Sequence, residues 1–97
     1  MVRHVVLFRW KEGATPEQVD AVAAALGTLP GMIPGIRRFE FGSDLGLLPG
    51  RMDFALCADF DDEAEYLAYA EHPAHVEVMR RAIDPIREST LSVQYLV

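Results

Sequence analysis

A single cysteine among 97 residues rules out an internal disulfide, so the chain must rely on an apolar core. Cys57 sits in an alternating apolar run and reads as a small packing residue, in keeping with a reducing, cytoplasmic setting. Basic residues are also scarce. Nine Lys and Arg against fifteen Asp and Glu leave a formal charge of −6, and the densest basic pairs are only Arg37-Arg38 and Arg80-Arg81. No nucleic-acid partner is expected from so sparse a footprint. Long apolar runs are missing too: no stretch approaches the roughly 18 consecutive apolar residues that span a bilayer, so no membrane partner is expected. Arg3, His4, Arg9 and Lys11 interrupt the N-terminal segment, so no secretory leader is expected. The acidic run of Asp59, Asp61, Asp62 and Glu63 is explained by helix capping and dipole effects, and no metal is expected there. What remains is a hydrophobic content of 51%, enough for one core, and a single domain over 1–97 is expected.

Hydrophobic periodicity predicts the order βαββαβ. Residues 2–10 read as a strand with Val2, His4, Val6, Phe8 and Trp10 on one face, and Val5 and Leu7 on the other. Thr15, Pro16 and Gln18 form a capping-box signature that starts a helix at Pro16, with the stripe Val19, Val22, Ala23 and Leu26 and a stop at Gly27. A shaped turn with two Pro-Gly pairs leads to a strand from Ile36 to Phe41. After a glycine-rich loop, Met52, Phe54, Leu56, Ala58 and Phe60 alternate as a third strand. Asp61 is expected to cap a helix starting at Asp62 and ending near Ala70. Pro73 opens a further helical turn with Val76, Met79, Ile83 and Ile86 in an apolar row, and Thr90 to Val97 closes the sheet. This order is that of an α+β, ferredoxin-like fold, a four-stranded antiparallel sheet with its helices on one face. Apolar Val5, Leu7, Ala55 and Cys57 then lie on the bare face, where a second copy packing sheet against sheet is the expected cover, giving a dimeric α/β barrel.

Two of the three histidines fall in the four residues His72-Pro73-Ala74-His75, close after Tyr69. Imidazole titrates near neutral pH, so this cluster invites acid–base chemistry, with His4 of the first strand as a third member. His72, held extended by the following proline, reads as a helix-start residue and stays outside the catalytic set. His4 has a second reading as a buried histidine hydrogen-bonded to Tyr69 or His75.

These residues resemble a known family. His4 with the run Val5 to Phe8, Pro34-Gly35-Ile36, Gly42-Ser43-Asp44, the strand Asp53 to Phe60, and above all Tyr69 to His75 are similar to the stress-responsive A/B barrel (Dabb) proteins, dimeric α+β barrels. The resemblance covers essentially the whole chain. The family includes a plant polyketide cyclase, which forms olivetolic acid, and its catalytic histidine and tyrosine fall on His75 and Tyr69, with a first-strand histidine on His4. The resemblance therefore implies an intramolecular aldol condensation. His75 would act as base or acid, Tyr69 would bond the developing oxyanion, and His4 would orient or share the proton. It implies no metal or organic cofactor, a small apolar or polyketide-like ligand, and a pocket lined by Val6, Phe8, Val22 and Leu26. Two alternatives stand beside it: a non-catalytic dimeric module for ligand binding or stress tolerance, and a cofactor-free monooxygenase-like dimer.

Overall fold

A computed structural model describes residues 1–97. The first strand, β1 (Val2–Trp10), is followed by α1 (Pro16–Gly27), a single 3-10 turn (Leu29–Gly31), β2 (Ile36–Ser43), β3 (Phe54–Phe60), α2 (Glu63–Glu71), α3 (Pro73–Val78), a π-turn (Met79–Ile83) and β4 (Arg87–Leu96). The four strands form one antiparallel sheet in the order β2-β3-β1-β4, the ferredoxin-like arrangement, with β2 and β4 at its edges. No helix is long and apolar enough to cross a membrane.

Local chemistry sets the boundaries. The capping box forms as its residues dictate: Thr15 accepts from the Gln18 amide at 3.2 Å, and the Gln18 side chain accepts from the Thr15 amide at 2.9 Å. The second helix corrects the sequence-based cap. Its N-cap is Asp62, which accepts from the Glu65 amide at 2.9 Å, while Asp61 pairs with Arg37 at 2.7 Å. A bulge between Arg9 and Trp10 lets β1 pair as far as Arg87, so β4 begins three residues before Thr90.

Period-two alternation divides the sheet into two unlike faces. Val6 and Phe8 of β1 join Phe54, Leu56, Ala58 and Phe60 of β3 against Val22 and Leu26 of α1, Tyr69 of α2 and Ile83 of the π-turn in one buried core. The expected apolar row of the last helix is corrected at its start. Val76 is half exposed and Ala74 and Val78 pack against the core in its place, while Met79, Ile83 and Ile86 pack as expected. The π-turn from Met79 adds a residue to the helical turn and rotates the following side chains, which a 3.6-residue period does not anticipate.

The opposite face carries Val5 and Leu7, whose register mates are Cys57, Ala55, Val93 and Leu91. No helix covers it, and Leu91 and Val93 remain 60% and 54% exposed. At one end of this face Arg3 holds Asp59 by a two-point ion pair at 2.8 and 2.9 Å, which keeps the Asp59 carboxyl below its usual range.

Candidate functional site

The His-Pro-x-His element works through a shortage of backbone donors. Pro73 has no N–H, so the helix cannot continue past Glu71, and His72 takes an extended backbone as C-cap of α2 and N-cap of α3. The His72 Nδ1 accepts from the Ala74 amide at 3.0 Å. That amide would otherwise bond the Ala70 carbonyl, four residues back, in a continuous helix. The freed Ala70 carbonyl lies 3.1 Å from Nδ1 of His75. A carbonyl only accepts, so His75 donates from Nδ1 and its Nε2 keeps the lone pair. Thus one proline and one capping histidine set the tautomer of the next histidine.

His4 is set the opposite way. It lies at the centre of β1, 8% exposed, and its register mate on β4 is Gln94. The Gln94 side-chain amide donates to Nδ1 of His4 at 2.9 Å, which places the His4 proton on Nε2. The sequence-based expectation of a bond to Tyr69 or His75 is replaced by this cross-strand bond.

A cavity of about 170 Å³ between the sheet and the helices brings these groups together. It is lined by His4, Val6 and Phe8 of β1, Leu26 of α1, Tyr69 of α2, His75 of α3, Met79 and Ile83 of the π-turn, and Thr90 and Ser92 of β4. The rings of Tyr69 and His75 are 4.5 Å apart, and those of His4 and Tyr69 are 6.3 Å apart. Of the expected pocket residues, Val6, Phe8 and Leu26 line the cavity and Val22 does not. Val22 is fully buried in the core because it turns to the interior of the α1–sheet contact, one helical turn away from Leu26. The sequence-based set lacks the cavity-lining hydroxyls of Thr90 and Ser92, the lining residue Tyr66, whose ring lies 5.0 Å from His4, and Gln94, an exposed residue that holds His4 from outside the cavity lining. The signal available for Gln94 was its place on the same face of the last strand as Thr90 and Ser92.

Burial fixes the charge state. His4 is pushed down to about 4, by loss of water and secondarily by its neighbour His75. His75 is also lowered by burial, with the Ala70 carbonyl opposing and His72 adding to the effect. The Tyr69 hydroxyl is raised by burial and by Tyr66. At neutral pH the cavity therefore holds an uncharged imidazole with a free Nε2, an uncharged imidazole carrying Nε2–H, and a protonated phenol. No cationic side chain lines it. The acceptor on His75 and the donors on His4 and Tyr69, in a largely apolar enclosure, suit proton transfer on an uncharged molecule.

Known proteins resemble this chain in sequence and in fold. The family model described as the stress responsive A/B barrel domain matches residues 2–97. An uncharacterized protein of Streptomyces coelicolor is 34% identical over 77 residues, 77% of this chain and 79% of that protein. A dimeric ferredoxin-like protein of unknown function from Thermobifida fusca superposes with a TM-score of 0.92 at 42% identity, covering 99% of this chain and 90% of the other. A hydroxynitrile lyase from Passiflora edulis superposes with a TM-score of 0.86 at 25% identity, covering 99% of this chain and 92% of the other.

Proposed function

Because the chain belongs to the stress-responsive A/B barrel (Dabb) family, we propose that it is a cofactor-free acid–base enzyme acting on a small uncharged carbonyl compound by an aldol-type reaction. The observation that carries this reading is the opposite tautomers of His75 and His4 at one cavity. Nε2 of His75 takes a proton from the carbon next to a carbonyl. Tyr69 O–H and His4 Nε2–H donate to the enolate oxygen as charge develops there. The enolate carbon attacks a second carbonyl of the same molecule, forming a carbon–carbon bond, and the imidazolium of His75 returns its proton to the resulting alkoxide. Every proton taken is given back, and no redox partner is needed.

The size of the cavity bounds the substrate. A void of about 150 Å³ is enough for benzene, so a cavity of about 170 Å³ suits the reacting half of a polyketide-like molecule or a whole compound of one ring. The hydroxynitrile lyase among the structural relatives supports acid–base chemistry in this fold. The enzyme would act as a homodimer with the bare sheet faces packed together, a reading supported by the dimeric relatives and by the exposed row of Leu91 and Val93 beside Val5 and Leu7. The single Cys57 supports a cytoplasmic setting. The direct test is deuterium exchange at the carbon next to a ketone, accelerated by the wild type and lost in His75→Ala. A protein that binds the ketone without exchanging its hydrogens is a binding module instead.

A further inference from the structure

The loop between β2 and β3 is tied down at its base yet presents three leucines to solvent. The Asp44 amide donates to the Asp53 carbonyl at 2.9 Å, and the Asp53 amide donates to the Phe8 carbonyl at 2.8 Å. The Asp53 carboxylate accepts from the Trp10 amide at 2.8 Å. Within the loop, Gly46 and Gly50 take φ values of 74° and 76°, which L side chains rarely adopt. With its ends fixed and its turns set by glycine, the loop leaves Leu45, Leu47 and Leu48 exposed at 82%, 80% and 58%. Three leucines within four residues make an apolar patch that water disfavours.

On the bare face of the sheet, Val5 and Leu7 of β1 and Leu91 and Val93 of β4 line a groove of about 250 Å³. Topology relates this groove to the loop. β2 runs parallel to β1, while β4 runs antiparallel to it, and the two lie at opposite edges. When two copies face each other about a two-fold axis along the strands, β2 of one comes beside β4 of the other in antiparallel sense. Heights along the axis are kept. The β2–β3 loop, which follows the end of the sheet marked by Phe8 and Phe54, then arrives level with the Leu7 and Leu91 end of the facing groove.

We infer that the leucine loop of each copy seats against the Leu7 and Leu91 end of the facing sheet of a second copy of this chain. The inference rests on the face-to-face dimer proposed above and adds to it a specific lock. A lipid surface is a poor occupant for the loop, since the chain carries a net charge of −6 and anionic headgroups repel it.

The experiment is sedimentation equilibrium of the full chain in four forms: wild type, the triple variant Leu45→Ser, Leu47→Ser and Leu48→Ser, the groove variant Leu91→Ala, and all four changes combined. The loop is exposed, so its variants keep the fold. The loop variant should raise the dimer dissociation constant about tenfold or more, and the groove variant should raise it measurably. The combination should exceed the loop variant by little, because both remove the same contact. A wild-type dimer whose constant is unchanged in the loop variant, or effects that simply multiply, overturns the leucine lock and leaves the dimer standing. A monomeric wild type overturns both. Binding of the wild type to phosphatidylcholine–phosphatidylglycerol vesicles that the loop variant loses, with an unaltered dimer constant, overturns the lock in favour of a lipid partner.

Discussion

The side chains of Gln94 and His4 are 90 residues apart in sequence and meet at 2.9 Å, so the last strand sets which nitrogen of the first-strand histidine carries the proton. Gln94→Leu removes the donor and frees His4 to exchange tautomers. In the wild type, nitrogen-15 spectra should show an unprotonated Nδ1 and a protonated Nε2 at His4, and in Gln94→Leu a mixture. Turnover should fall about tenfold with the melting temperature nearly unchanged, which marks Gln94 as a positioning residue. A wild-type His4 protonated on Nδ1 contradicts the assignment.

Acid should destabilise the fold through His4 before the carboxylates respond. The folded-state value near 4 lies below the ordinary value of 6.5, so the unfolded chain takes up the proton first as acid is added. The stability due to neutral His4 is whole above about pH 6.5 and is lost progressively as the pH falls toward 4, by about 3 kcal/mol in all. His75, lowered in the same sense, adds to the loss. Urea unfolding at a series of pH values should show this slope, and His4→Gln should flatten it. An unchanged slope in His4→Gln assigns the acid sensitivity elsewhere.

His72 supports the site without taking part in it. His72→Ala removes the acceptor for the Ala74 amide and should cost about 1 kcal/mol, the usual worth of an N-cap. His72→Asn, which retains a capping oxygen, should recover most of that loss. Thermal unfolding of the two variants checks the difference.

A charge at the centre of the bare face should split the dimer. Val5 lies on an interior strand between Cys57 and Val93 in the sheet register, so Val5→Glu would bury an unpaired carboxylate if two sheets meet there. Light scattering should give twice 10.8 kDa for the wild type and 10.8 kDa for the variant. Equal masses for the two proteins remove the face-to-face arrangement.

Much of the fold was legible because local signals and burial agree. The Thr15–Gln18 capping box, the Gly27 stop and the alternation of β1 and β3 each specify one element, and the strand order follows from them. His4, Tyr69 and His75 were legible as a group, and they line one cavity. The π-turn was not, since Met79 to Ile83 has the composition of an ordinary helix and the extra residue is imposed by packing. Val76 was placed in the core because it shares a helical row with Met79, whereas α3 turns it half out to solvent. Val22 was placed in the pocket because it shares the apolar stripe of α1 with Leu26, and periodicity does not tell a core position from a cavity wall. Gln94 escaped notice because its outward neighbours Val93 and Tyr95 dominate the pattern of β4, and its role depends on a register with β1 that only the folded sheet reveals.

The central claim is that His75 removes a proton next to a carbonyl, and deuterium exchange into the methyl group of acetophenone in heavy water, followed by proton NMR, tests it most directly. Acetophenone is uncharged and of a size for a cavity of about 170 Å³. The account predicts exchange by the wild type at neutral pH on the order of a hundredfold above buffer, with His75→Ala returning it to the buffer rate in a protein that melts as before. Exchange no faster than buffer while acetophenone shifts the Tyr69 and Ile83 resonances, or equal exchange by His75→Ala, would contradict it.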